Sequence, residues 1–231
     1  MTMQLNCLFC NKHMNQRIRW VNLFSIKQDV ICVNCKSKLE RINGGCIRCN
    51  KKTDQDICPD CKYWIHHPKT RDIPLQNKSL YHYNDLAKLI MERVKFKGDC
   101  KLLDAFKRDV NEFFEMNFSP LNYVIIPTPI TEERLYERGF NQAAYLIRDL
   151  PYEQQNIFIK ISNEKQSKKD KWERLTLKKQ FSIDNTIKLS DKKVILVDDL
   201  YTTGSTIHNM ARELMSNGYQ KEICSFTLFR G

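Results

Sequence analysis

Thirteen residues, Val194-Ile195-Leu196-Val197-Asp198-Asp199-Leu200-Tyr201-Thr202-Thr203-Gly204-Ser205-Thr206, constrain this chain more than any other stretch. Four branched apolar residues in succession predict a strand buried on both faces, which calls for a parallel sheet covered by helices. Asp198 and Asp199 follow at the point where such a strand is expected to leave the core. A run of hydroxyls with one glycine comes next, and then Ile207, Met210, Ala211, Leu214 and Met215 recur at helical spacing. Strand, polar turn and helix start form the place where an open α/β sheet receives a ligand. The turn offers backbone N–H groups and the hydroxyls of Thr202, Thr203, Ser205 and Thr206, all able to donate to one phosphate. Gly204 lets the backbone approach that anion with no Cβ in the way. The two acids would repel a phosphate, and their natural targets are sugar hydroxyls or a shared Mg²⁺. A ligand with a ribose and a 5′-phosphate fits both halves. The plainer reading, acids that merely end a strand and cap a helix, leaves the hydroxyl run without a use.

The same thirteen residues resemble the phosphoribosyl-diphosphate (PRPP) motif of type I phosphoribosyltransferases. That resemblance implies Asp198 and Asp199 at the ribose hydroxyls, and Thr202, Thr203, Gly204, Ser205 and Thr206 around the 5′-phosphate. Thr202 stands where the purine-salvage branch carries an acidic residue, which sets the chain apart from that branch.

The N-terminal third is governed by sulfur. Eight of the ten cysteines form four Cys-x-x-Cys pairs: Cys7/Cys10, Cys32/Cys35, Cys46/Cys49 and Cys58/Cys61. Each such turn presents two thiolates to one tetrahedral ion, so eight sulfurs predict two structural zinc sites. A disulfide scaffold is opposed by a reducing cytosol, and redox pairs have no reason to come in fours. Ligand pairing is open between a sequential order and an interleaved, cross-braced one. His13, His66 and His67 are expected at the surface or a hinge rather than as ligands. With few aliphatic residues of its own, the region depends on metal for folding, and removing the metal is expected to melt it and spare the sheet.

Formal net charge is +11 over 231 residues, which favours anionic partners: nucleic acid, nucleotides or diphosphate. Two four-thiolate zinc sites would bring it to about +7. No apolar run reaches membrane-spanning length and Met1 to Gln16 has no secretory core, so a cytoplasmic protein without membrane insertion is expected. Pro68 and Pro74 punctuate a basic stretch that reads as a boundary. Leu80 to Tyr83 is expected as a short strand. Asn84 or Asp85 then caps a helix with Leu86, Leu89, Ile90 and Val94 on one face. A second helix turns Leu102, Leu103, Phe106, Val110, Phe113 and Phe114 inward, and Tyr123 to Pro127 forms another buried strand. Beyond Pro129, Arg134 and Arg138 lie four apart beside a glycine turn and can clamp a diphosphate bidentately. Asn156 to Lys160 and Glu222 to Phe229 read as further strands.

The cysteine pairs, Tyr83-x2-Leu86-x2-Leu89-Ile90-x4-Lys95-Phe96-x-Gly98-Asp99, Pro127-x-Pro129, Arg138-Gly139-Phe140-Asn141-Gln142 and the final TTGST together resemble the competence protein F (ComF) family over essentially the whole chain. The resemblance implies a double zinc ribbon ahead of a phosphoribosyltransferase fold. It also implies handling of imported single-stranded DNA at the cytoplasmic face of the uptake machinery, with a competence helicase as partner. Ile161 to Lys179, containing Gln166, Trp172 and Arg174, corresponds to the hood that closes over the diphosphate.

The expected architecture is therefore α/β: a zinc module over residues 1–67, a linker over 68–79, and a phosphoribosyltransferase-like parallel sheet with flanking helices over 80–231. In the PRPP site Asp198, Asp199 and Arg138 would act on ribose and leaving group with Mg²⁺, and Pro129 and Arg134 would line it. Two functions stand. One is a PRPP-binding, single-strand-binding competence factor. The other is an active phosphoribosyltransferase in nucleotide salvage, for which no general base is identified.

Overall fold

The computed structural model describes residues 2–17, 30–161 and 180–231. An antiparallel pair, β1 (Thr2–Asn6) and β2 (His13–Arg17), comes first, followed by two short helices, α1 (Val33–Ser37) and α2 (Pro59–His66). The sheet begins with β3 (Gln76–His82). After it come α3 (Asp85–Phe96), a 3-10 helix over Cys100–Phe106, α4 (Lys107–Asn117), β4 (Tyr123–Pro127), α5 (Glu132–Arg138) and α6 (Gln142–Ile147). The remaining elements are β5 (Glu153–Gln154), β6 (Phe158–Lys160), β7 (Phe181–Ile183), β8 (Lys193–Tyr201), α7 (Ser205–Ser216) and β9 (Ile223–Arg230).

Five strands make one parallel sheet in the order β3-β9-β8-β4-β5, with β8 at its centre. Side chains alternate along the inner strands, as a pleated strand requires. Ile125, Ile195 and Val197 join Ile90, Val94, Leu103, Phe106, Phe114 and Ile147 on one face. Val124, Ile126, Val194 and Leu196 join Ile207, Met210, Ala211 and Leu214 of α7 on the other. The result is helix, sheet and helix in three layers, the arrangement that four apolar residues in a row demand.

Several expectations shift in detail. The first strand runs from Gln76 to His82 and pairs with β9, so it starts within the stretch read as linker. Asn84 caps α3 by accepting from the Ala87 N–H, but the buried face is Ala87, Ile90, Met91 and Val94, and Leu89 faces solvent. Strand β8 does not end at the acids. Its pairing with β4 stops at Val197, while pairing with β9 continues to Tyr201, so both carboxylates sit on strand that is open on one side. The short β6 and β7 pair with each other, outside the main sheet.

The cysteine-rich region is bonded to the sheet. Edge strand β3 donates from Asn77 to the Arg48 carbonyl and from His82 to the Glu40 carbonyl, and its Leu80 carbonyl accepts from Ile42. Exposed strand edges invite pairing with other chains, and here the region itself covers the edge. Among the described residues no helix is long and apolar enough to cross a membrane.

Candidate functional site

Chain order against sheet order locates a crevice. From β4 the chain moves outward to β5, and from β8 it moves the opposite way to β9, although β4 and β8 are neighbours. Ligands in open α/β sheets bind at such a switch point, beyond the carboxyl ends of the strands. Local bonds hold both banks. The Thr128 N–H and hydroxyl each donate to the Val197 carbonyl, at 2.8 and 2.9 Å, tying the end of β4 to β8. Asn141 donates to the Thr128 carbonyl at 2.9 Å while its side-chain oxygen caps α6 at the Ala143 and Ala144 N–H groups. Gly139 ends α5 in the left-handed region at φ 75°, which sets Arg138 at the helix terminus.

Charge is concentrated here. Asp199 is buried and ion-paired to Lys95 Nζ at 2.6 Å. Asp198 accepts from the Asp199 N–H at 2.9 Å, and burial, with the Asp199 carboxylate beside it, pushes its pKa up to about 8. Arg138 is held below the usual guanidinium range by burial and then by the neighbouring Arg134. Lys160, at the end of β6, is also lowered, first by burial and then by Arg134, with Asp198, Arg138 and Asp199 within electrostatic reach. Four cations and two acids thus share one crevice. The Nε2 donor of buried Gln142, the first residue of α6, has no acceptor among the described residues.

The hydroxyl loop joins β8 to the N-terminus of α7, where the first N–H groups have no intrahelical partner. Gly204 occupies the left-handed region at φ 83°, and a Cβ there would collide with the Tyr201 hydroxyl and ring. The glycine is therefore required by the tyrosine beneath it as well as by any anion above. Thr202 is exposed, Ser205 and Thr206 are half-buried, and Thr203 is buried, with its Oγ1 accepting from the Ser205 N–H at 3.4 Å. His208 Nδ1 lies 2.9 Å from the Gly204 carbonyl, which can only accept, so Nδ1 carries the proton. Burial lowers the His208 pKa to about 4, keeping the ring neutral where it stacks on Trp64 at 4.3 Å between centroids.

The eight thiols form two groups, Cys7/Cys10/Cys32/Cys35 and Cys46/Cys49/Cys58/Cys61, so the pairing is sequential. Within each group all sulfurs lie within 4.8 Å of one another. Cys10 and Cys32 sulfurs are 3.7 Å apart and Cys49 and Cys58 sulfurs 3.6 Å. A tetrahedron with metal–sulfur bonds of about 2.3 Å has edges of about 3.8 Å, so both groups fit a metal ion. Backbone N–H groups at Cys32, Cys35 and Cys58 point at the sulfurs of Cys7, Cys32 and Cys46 at 3.3 to 3.4 Å, the support an anionic thiolate needs. No histidine stands in either group. The second group does not lie outside the core, as the sequence led us to expect. It shares one buried cluster with Leu196, Tyr201 and α7.

Of the expected site residues, Asp198, Asp199, Arg134 and Arg138 all lie within electrostatic reach of Lys160, and the run Thr202 to Thr206 directly follows Tyr201 at the end of the same strand as the acids. Pro129 is half-buried, two residues past the end of β4. Gln166, Trp172 and Arg174 lie outside the described residues. Sequence reading did not assign Lys95 or Lys160 to the crevice. Lys95, in the last turn of α3, enters the sequence reading only as a member of the motif from Tyr83 to Asp99; Lys160 carries no local signal, because its place depends on β6 leaving the main sheet.

A model of the phosphoribosyl transferase domain matches residues 137–231, which contain the central strand, the loop and α7. Relatives match along the whole chain. Competence protein ComFC of Bacillus subtilis (strain 168) is 39% identical over 230 residues, spanning 98% of this chain and 95% of the relative. Competence protein ComFC of Streptococcus pneumoniae (strain ATCC BAA-255 / R6) is 29% identical over 229 residues, 98% of this chain and 100% of the relative. Competence protein F of Haemophilus influenzae (strain ATCC 51907 / DSM 11121 / KW20 / Rd) is 26% identical over 227 residues, 87% of this chain and 96% of the relative. A five-stranded parallel sheet with a crevice at its switch point and a matching domain model make this a member of the type I phosphoribosyltransferase superfamily. Identity at that level and over that length goes further: the chain belongs to the ComF family.

Proposed function

We propose that this chain acts in competence by binding PRPP with Mg²⁺ in the switch-point crevice and single-stranded DNA on the adjoining surface. One observation carries the PRPP half: two carboxylates near the end of the central parallel strand are followed closely by a hydroxyl-rich helix start. Asp198 and Asp199 would accept from the ribose hydroxyls. The N–H groups at the start of α7, with Thr202, Ser205 and Thr206, would donate to the 5′-phosphate. Arg134, Arg138 and Lys160 would face the diphosphate, whose charge Mg²⁺ offsets when bound. Zinc suits the all-thiolate donor sets of the two cysteine groups, and two structural ions are proposed.

The DNA half draws on exposed aromatics among cations beside the crevice. Phe96, 82% exposed, sits between Lys95 and Lys97, and Tyr136, 93% exposed, between Arg134 and Arg138. Open ring faces with phosphate-binding charge are what a base-stacking, sequence-tolerant surface requires. A cytoplasmic location and a helicase partner in the uptake machinery complete the reading.

Transfer of ribose 5-phosphate to an acceptor is the second reading, favoured by three cations around the position of a leaving diphosphate. Calorimetric titration of the zinc-loaded protein with PRPP and Mg²⁺ tests the first reading, and absence of binding would refute it. Diphosphate release on adding a panel of bases would establish transfer.

A further inference from the structure

Two side chains bridge the second sulfur group and the hydroxyl loop. Arg230 is 2% exposed and engages both at once. Its Nε donates to the Cys49 carbonyl at 3.0 Å and its Nη2 to the Cys49 sulfur at 3.2 Å. Its Nη1 donates to the carbonyls of Tyr201 and Thr202, at 3.0 and 2.7 Å, and to that of Gly231. Trp64 lies on α2, the helix that carries Cys61, and its Nε1 donates to the Thr203 carbonyl at 2.7 Å. Three successive carbonyls are thereby held toward Arg230 and Trp64. In a trans peptide the carbonyl and the following N–H point in opposite directions. Fixing the carbonyls of Tyr201, Thr202 and Thr203 therefore turns the N–H groups of Thr202, Thr203 and Gly204 the other way, away from these two side chains.

We propose that Arg230 and Trp64 are positioning residues through which the metal-loaded Cys46/Cys49/Cys58/Cys61 group presets the loop for a phosphate, so that metal occupancy and anion binding are linked. The inference rests on the reading of Thr202 to Thr206 as a 5′-phosphate site. A four-thiolate ion carries net charge −2, which gives Arg230 a fixed anionic anchor on the metal side. Without the ion the sulfurs lose their common centre, and Arg230 and α2 lose the anchor that aims them. Linkage is reciprocal, so a phosphate ligand must also hold the metal in this group more firmly.

The test uses full-length, zinc-loaded protein, ribose 5-phosphate as probe, and the variants Arg230→Met and Trp64→Phe. Trp64→Phe keeps a ring against His208 and removes one N–H, so it serves if Arg230→Met does not fold. Expected results are two zinc ions retained, amide exchange at Thr202 to Gly204 faster by about tenfold or more, and ribose 5-phosphate bound about tenfold more weakly. Ribose 5-phosphate should also slow chelator extraction of one zinc ion and not the other. Unchanged loop exchange and unchanged affinity in a folded, zinc-loaded variant would overturn the inference alone. Failure of the wild-type protein to bind ribose 5-phosphate would overturn the phosphate-site reading and this inference with it.

Discussion

At the scale of single residues, the acid pair has the clearest consequences. Asp198→Asn with Asp199→Asn keeps shape and much of the hydrogen-bonding capacity but removes both carboxyl groups, and with them the negative charge they carry and any contact with Mg²⁺. PRPP affinity should fall by roughly 2–4 kcal/mol, since charge-assisted bonds contribute about 1.5–3 kcal/mol each and add incompletely. Binding of a single-stranded oligonucleotide, which offers only anions to these groups, should hold or strengthen slightly. Parallel titrations with both ligands check this, and unchanged PRPP affinity would remove the assignment. Asp198 has a second signature. Its pKa rises from 3.8 to about 8, chiefly through burial, so in that window the folded chain keeps a proton that the unfolded chain has released. Its contribution to stability therefore falls as pH rises from about 4 to about 8 and is level above that. The thiolates titrate too, so the informative measurement is a difference: urea denaturation of wild type and Asp198→Asn from about pH 5 to about pH 8 should show a flatter descent in the variant. The acids were legible in the sequence because strand, carboxylates and hydroxyls are contiguous. Lys95, paired to Asp199 across more than a hundred residues, was not, because nothing local to α3 marks which of its lysines meets the sheet.

At the scale of elements, the turn into α7 depends on Gly204 for two separable reasons. Gly204 and Gly218 have nearly the same backbone, at φ 83° and 86°, yet only Gly204 has a neighbour that a Cβ would strike. Gly218→Ala should therefore cost about 1 kcal/mol, the backbone term alone. Gly204→Ala adds the collision with the Tyr201 ring, must shift either the ring or the start of the helix, and should cost at least about 3 kcal/mol. It should also abolish ribose 5-phosphate binding. Thermal melts of the two variants separate the terms, and equal losses would refute this account. Period and caps foretold most elements well. The four-residue apolar run gave the central strand, and Asn84 marked the start of α3. What period could not give was which register wins where two apolar faces compete. In α3 the stripe through Ala87, Ile90, Met91 and Val94 packs on the 3-10 helix and leaves Leu89 outside, a choice made by tertiary contact. The extension of β8 past its acids is likewise set by β9 alongside it, which continues to Arg230.

At the scale of the whole molecule, charge and metal are the two levers. With net charge +11, single-strand binding should be driven by released counterions, so affinity should drop steeply between about 50 and about 200 mM salt and vary little with base sequence. Binding indifferent to salt would count against the proposed surface. Metal held by the two sulfur groups should act differently at each, and the difference follows from where each group packs. The first group lies in a small satellite cluster with Met14 and Ile31, touching the main body through Phe9 on the Phe106 ring at 5.8 Å. The second is part of the buried cluster beneath β4, β8 and α7, and it anchors Arg230 at the end of β9. Loss of the first ion should therefore unravel its own strands and loops and leave most of the sheet's cooperativity. Loss of the second leaves buried thiols without a common partner and a buried guanidinium with only the more distant Asp60 carboxylate, at 4.0 Å, as its anion, and both penalties fall inside the sheet's own core. Cys35→Ser and Cys46→Ser should each lose about one of two zinc ions, yet Cys46→Ser should lower the main unfolding free energy by at least about 2 kcal/mol more. Metal analysis with urea denaturation of the two variants decides it. Equal effects on the main transition would mean that the second group is a separate module after all, and the covered edge of β3 would then be a contact of little energetic weight.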